Sequence, residues 1–229
     1  MKRAIVLLSG GMDSLVCAAS AVAECEEVYF LHFNYGQRTQ EKELSCFKAL
    51  VQHYKPSQAK VVDYHWLKEI GGSALTDHSI PVIAKAGTEK KVDIPQTYVP
   101  FRNAMLLCAA VAWAEVIEVD RIYIGAVEED SSGYPDCREL FFTAFEQVIY
   151  TGSKAGDKIK IVTPVLHKSK AEIVRLGAQL KAPFQLSWSC YIDNNEACGV
   201  CDSCVLRLNA FRAAGIEDPI IYKGIEVDS

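Results

Sequence analysis

Residues 4–8, Ala-Ile-Val-Leu-Leu, run directly into Ser9-Gly10-Gly11-Met12-Asp13-Ser14 and then into an apolar stretch, 15–23, with helical spacing. A strand handed to a helix through two glycines opens a βαβ unit, and the rest of the chain repeats that grammar. A β-rich run at 28–33 precedes a helical pattern at 40–54, and a strand is expected around Val61 and Val62. After a long polar stretch, helical patterns at 103–115, 140–150 and 169–180 alternate with strands at 121–124 and 159–162. Each right-handed crossover lays its helix over the sheet, so the expected fold is α/β and doubly wound. It has a five-stranded, mainly parallel sheet with helices on both faces. Ligands in such sheets bind beyond the strand C-termini. Segments 34–39, 66–101 and 126–138 leave those ends without periodicity, and segments of that kind cover or build a site.

No repeat, Pro- or Ser-rich linker or block of like charge divides the 229 residues, so one compact unit, 1–229, is expected. The net charge of −5, with no basic tract, gives no indication of a nucleic-acid partner. The longest apolar run, 104–114, has 11 residues, against about 20 for a bilayer span. Lys2 and Arg3 precede an apolar stretch too short for a signal peptide, which points to the cytoplasm.

The loop after the first strand carries chemistry. Two glycines let backbone N–H groups converge, and the helix that follows adds positive potential, so a phosphate chain can be held there. Ser9 and Ser14 add hydroxyls; Asp13 can cap the helix or hold Mg2+ that accompanies ATP. Neither Gly-x4-Gly-Lys-Ser/Thr nor Gly-x-Gly-x-x-Gly occurs here. A pair of glycines alone would be only a tight turn. The whole hexapeptide resembles the diphosphate loop of the ATP pyrophosphatases, which split ATP between its α and β phosphates. That resemblance implies that Leu8, Ser9, Gly10, Gly11, Met12, Asp13 and Ser14, with Leu15, Val16, Cys17 and Ala18 of the first helical turns, line the nucleotide site.

Cys190, Cys198, Cys201 and Cys204 are spaced Cys-x7-Cys-x2-Cys-x2-Cys, with Gly199 for a tight turn. Without a secretion signal such clustered thiols bind metal more often than they form disulfides. Four thiolates suit a closed, structural Zn2+ site, although an iron–sulfur centre uses similar spacing. The expectation is an α/β core over 1–183 and a small zinc-binding helical appendage over 184–229. Cys17, Cys25, Cys46 and Cys108 read as small core residues.

Further segments extend the match in order along nearly the whole chain. They are Tyr35-Gly36-Gln37-Arg38 with Glu41; Thr97 through Asn103; Asp130 with Ser132 through Arg138; Thr163-Pro164; Lys170 through Ile173; and Trp188 through Tyr191 with the cysteines. Together they resemble the 7-cyano-7-deazaguanine synthase family of the ATP pyrophosphatases, whose fold is adenine nucleotide alpha hydrolase-like. The resemblance implies that 7-carboxy-7-deazaguanine and ammonium become the nitrile through two adenylations, each releasing AMP and diphosphate, in a homodimer. Carboxylate and amide oxygens are poor leaving groups, so each must be adenylated before it departs, and phosphate charge must be neutralised both times. Ser9, Asp13, Ser14, Arg102, Arg138 and Lys168 are the catalytic candidates, with Arg38 as a further cation; each cation could equally be a solvated surface charge. Asp130 or Asp136 could accept the base's N–H groups or make an Asx turn, and Tyr134 and Trp188 could stack on it or pack in the core. Cys137 reads as a packed thiol, and His32 and His167 as structural or proton-shuttling. Phe101, where the family has a small residue, and Ser131, where it has an aromatic, are expected to reshape a pocket wall. The rival functions are a tRNA-sulfurating pyrophosphatase and a non-enzymatic nucleotide-binding zinc module.

Overall fold

The computed structural model describes residues 2–82, 94–128 and 133–224. Strands β1 (Arg3–Leu7), β2 (Glu27–Asn34), β3 (Gln58–Asp63), β4 (Arg121–Ile124) and β5 (Lys160–Val162) form one sheet of order β3-β2-β1-β4-β5. Every pairing is parallel. The helices are α1 (Met12–Glu24), α2 (Gln40–Tyr54), the single turn α3 (Trp66–Glu69), α4 (Arg102–Ile117), α5 (Glu139–Gly152), α6 (Lys170–Gln179) and α7 (Asp202–Ala214). The expected alternation is therefore the observed one. α1 begins earlier than its apolar pattern, because the Leu15 amide donates to Gly11 O at 3.0 Å and closes a turn over the polar residues.

Side-chain alternation on the central strand splits the core. Ala4 and Val6 pack with Leu15 and Val16 of α1, Phe47 and Leu50 of α2, Ile173 and Val174 of α6, and Phe211 of α7. Ile5 and Leu7 face the other way, against Leu107 and Ala110 of α4 and Phe142 and Phe145 of α5. The C-terminal segment thus does more than carry cysteines, since Phe184, Ala210 and Phe211 belong to the sheet's own core. Edge strand β3 is mostly exposed and carries Lys60, a charge that discourages further strand pairing.

From β1 the chain steps outward to β2 and β3, then returns so that β4 lies on β1's other side. Connections on opposite sides leave a crevice beyond the C-termini of β1 and β4, and it is there that ligands bind in sheets of this kind.

Candidate active site

The loop that leaves β1 is held by its own serines. Ser9 Oγ and Ser14 Oγ lie 2.9 Å apart; the Ser9 amide donates to Ser14 Oγ, and the Gly11 amide to Ser9 Oγ. Gly10 has φ +90°, in the region that favours glycine, and a Cβ on it would stand 2.8 Å from Glu43 O. Loop and α2 are therefore in backbone contact. Across the crevice Gly125 directly follows β4, and a Cβ there would stand 2.7 Å from the Ser14 amide nitrogen. Gly125→Ala is accordingly expected to push the first turn of α1 out of place and to weaken ATP binding by about tenfold, ~1.4 kcal/mol. Isothermal titration with ATP measures this, and unchanged affinity would show that the two elements can separate freely.

Lys170, at the start of α6, donates Nζ to Asp13 Oδ2 at 2.7 Å. Asp13 Oδ1 is buried without a hydrogen-bond partner. A carboxylate has room for several donors or a hard cation, so the oxygen pair is a partly used acceptor on a residue of the cleft wall.

The cleft continues away from the loop between α2, α4 and the C-terminal segment, with Tyr35, Arg102, Tyr134 and Tyr191 in its walls. Arg102 donates Nη1 to Tyr35 OH at 2.9 Å. Burial works against its charge, but Tyr35, Tyr134, Cys137 and Asp136 outweigh that and hold the guanidinium above its ordinary pKa. Tyr134 OH lies 2.6 Å from Thr97 Oγ1, and its ring is 5.7 Å from that of Tyr98. Glu43 takes hydrogen bonds from Thr39 Oγ1 at 2.9 Å and Gln37 Nε2 at 3.1 Å.

The four cysteines close the cleft's far side. Their sulfurs all lie within 4.8 Å of one another, with Cys198 and Cys204 at 3.9 Å. A tetrahedron of Zn–S bonds of ~2.3 Å has edges of about 3.8 Å, so the donor set fits a tetrahedral ion. Amides of Ile192, Asp193 and Cys198 point at Cys190 Sγ, each at 3.4 Å. With Cys201 and Cys204 donating as well, the Cys190 thiol is held well below its usual range. Cys190 and Tyr191 line the cleft themselves, and the Trp188 amide donates to Gly10 O at 2.9 Å. The cysteine-bearing segment and the Ser9–Ser14 loop are thus joined by a backbone hydrogen bond.

A family profile described as "Queuosine biosynthesis protein QueC" matches residues 3–215. The chain belongs to the QueC family. The chain is 56% identical over 223 residues to the 7-cyano-7-deazaguanine synthase of Chlorobaculum tepidum, covering 96% of each protein. It is 54% identical over 222 residues to that of Chlorobium phaeobacteroides, covering 96% of this chain and 97% of the relative. With the Chlorobaculum parvum protein the identity is 55% over 223 residues, 96% of each.

In this QueC cleft the structure brings together only part of the residue set expected from sequence. Leu8, Ser9, Gly11, Met12, Asp13 and Ser14 line it, as do Arg38, Arg102, Tyr134 and Trp188. Leu15, Val16, Cys17 and Ala18 are fully buried and none lines the cleft, because α1 is enclosed between the sheet and α6. Asp136 is 3% exposed and accepts the Asn103 amide at 2.9 Å, so it braces the first turn of α4 from behind Arg102. Arg138 is exposed at the entry to α5 and Lys168 is half-buried just before α6; neither is in a cleft wall. Asp130 and Ser131 lie outside the described residues. Arg38 donates to the carbonyls of Ala74, Asp77 and Ile80, which makes it a clasp for that loop. His32 stacks on Phe47 in the core, and exposed His167 lies 3.7 Å from Glu128 and from Glu139. The Asn103 side chain donates to Cys137 Sγ at 3.3 Å, which leaves that thiol packed behind α4.

Phe101 does not reshape a pocket wall, since its side chain is 62% exposed. The departure is one of backbone: Phe101 has φ +54° at the N-terminus of α4, a left-handed conformation that costs a side-chain-bearing residue about 1–2 kcal/mol. Only glycine would escape that cost, because any Cβ incurs it. Sequence reading gave no site role to Gly125, Lys170, Glu43 or Arg207, all of which line the cleft. The glycine immediately after the fourth strand and the lysine two residues beyond Lys168 were the available signals.

Proposed function

We propose that this cleft makes 7-cyano-7-deazaguanine from 7-carboxy-7-deazaguanine and ammonium, as the names of the curated relatives suggest, with two ATP cleaved to AMP and diphosphate. The observation that carries the reading is the joint placement of the Ser9–Ser14 loop, the Asp13–Lys170 pair and Arg102 around one crevice at the β1/β4 switch point. Loop amides receive the departing diphosphate. Ser9 and Ser14 hold the loop's shape. Lys170 replaces Lys168 as the cation at the nucleotide, and Arg102 faces the negative charge of the acid and of its phosphoryl ester. Mg2+ entering with ATP would meet Asp13 Oδ1, the buried oxygen that lacks a partner. Tyr134, with Tyr35 and Tyr191, supplies aromatic walls for the heterocycle. Asp136 acts through Asn103 and the start of α4 to position Arg102, and Asp130 remains a candidate for the base's N–H groups.

The cysteine knot is proposed to hold Zn2+, since all four donors are protein thiols and no coordination position is left for chemistry. Metal analysis showing iron would replace that assignment. No helix among the described residues is long and apolar enough to cross a membrane. A homodimer working in the cytoplasm is proposed on the family resemblance. The reading is tested by incubating the protein with 7-carboxy-7-deazaguanine, ATP, Mg2+ and ammonium. Two AMP per nitrile supports it, whereas ADP formation, or AMP release that depends on tRNA, overturns it.

A further inference from the structure

Glu43 has no part in the scheme above, yet it stands in the wall of the same cleft. Its main-chain carbonyl backs Gly10, which places the residue beside the phosphate loop, and Thr39 and Gln37 each donate one hydrogen bond to its carboxylate. A carboxylate offers about four lone-pair directions, so these donors leave about two for a ligand. An anion next to a loop built for anions does not fit a phosphate oxygen. The flat heterocycle has aromatic walls at Tyr134 and Tyr191. What fits between a braced carboxylate and an acid activated at the loop is a small cation that carries N–H donors.

We propose that Glu43, braced by Gln37 and Thr39, binds ammonium and takes up the protons it sheds on attacking the adenylated acid. The proposal rests on the ligase reading above and deepens it. Ammonium loses one proton to become the nucleophile and a second after its nitrogen bonds to the acyl carbon. The C–O bond to AMP then breaks, and AMP leaves with the electron pair. Glu43 accepts the protons in turn and passes them to solvent through the open cleft. Burial pushes its carboxyl above the ordinary value, against the hydrogen bonds of Thr39 and Gln37 and the charge of Arg102, which moves it toward the range useful to a general base. Tyr35 and Cys46 are the other titratable groups that feel its charge.

The two halves of the reaction separate handling of ammonium from a general defect of the cleft. Forming the amide consumes ammonium; dehydrating the amide to the nitrile does not. Wild type and Glu43→Gln are each given either 7-carboxy-7-deazaguanine with ammonium or the preformed carboxamide, with ATP and Mg2+ in both arms. General-base loss of about 100-fold is expected in the acid-fed arm at pH 7, at least about thirtyfold more than in the amide-fed arm. AMP release from the acid should outrun amide formation as water takes the acyl adenylate, and raising pH, which supplies free ammonia, should recover the rate. Parallel loss in both arms, or an unchanged acid-fed rate, overturns the proposal. If Glu43→Gln does not fold, Glu43→Asp, whose carboxylate is withdrawn by one methylene, must show the same split between arms. Wild type that converts neither substrate would instead refute the ligase reading, so the two failures are distinguishable.

Discussion

Cys201→Ser is expected to cost the protein its metal, its C-terminal fold and its ATP site together. Cys201 is 1% exposed, stands at the N-terminus of α7, and shares a cage with three other sulfurs. Structural Zn2+ is worth about 10–16 kcal/mol in small Cys/His sites, comparable to the entire ~5–15 kcal/mol stability of a domain. Weakening the cage therefore removes more than local order. The segment it anchors forms a cleft wall through Cys190 and Tyr191 and holds Gly10 O through the Trp188 amide. Proteolysis should cut near the knot before it attacks the sheet, and nitrile formation should fall below detection. Metal content near zero with full ATP binding would show that the knot and the loop are independent.

Asp218→Ala carries the second large effect, on stability. Arg207 is 1% exposed and donates Nε and Nη2 to the two Asp218 oxygens at 2.8 and 2.9 Å. Its Nη1 donates to Ser187 Oγ at 2.8 Å and its Nη2 also reaches Phe184 O at 3.3 Å. The pair ties α7, the turn around Phe184 and segment 218–222 into one piece, and Tyr222 OH adds a bond to Asp218 at 2.7 Å. Removing the carboxylate leaves a buried guanidinium without its counter-charge, a loss of about 3–5 kcal/mol. In a chain of this size that is about 10 °C in melting temperature. A double replacement by apolar residues of similar volume should lose much less, since the pair's desolvation disappears with it. Equal shifts for single and double variants in thermal melts would contradict this account.

The QueC site illustrates what side-chain chemistry alone can reveal. The loop at Ser9–Ser14 and the cysteine spacing were legible because backbone turns and metal cages need particular residue types close together in sequence. Lys168 is a sequence candidate, but Lys170 meets Asp13, because Lys170 is the first residue of α6 whereas Lys168 precedes the extended N-cap Ser169. Asp136 is a helix brace for the same reason of placement: α4 comes up against it from a distant part of the chain.

Sequence by itself determined the alternation of strands and helices, the parallel sheet, the Gly-Gly loop and the four-cysteine cluster, since each rests on local periodicity or on short-range spacing. Tertiary structure decided which cations line the cleft, that residues 15–18 are enclosed in the core, and that Glu43, Gly125 and Arg207 stand at the cleft. Those facts arise where β1 and β4 become neighbours and α7 packs back on the sheet, contacts between residues far apart in the chain that no local pattern encodes.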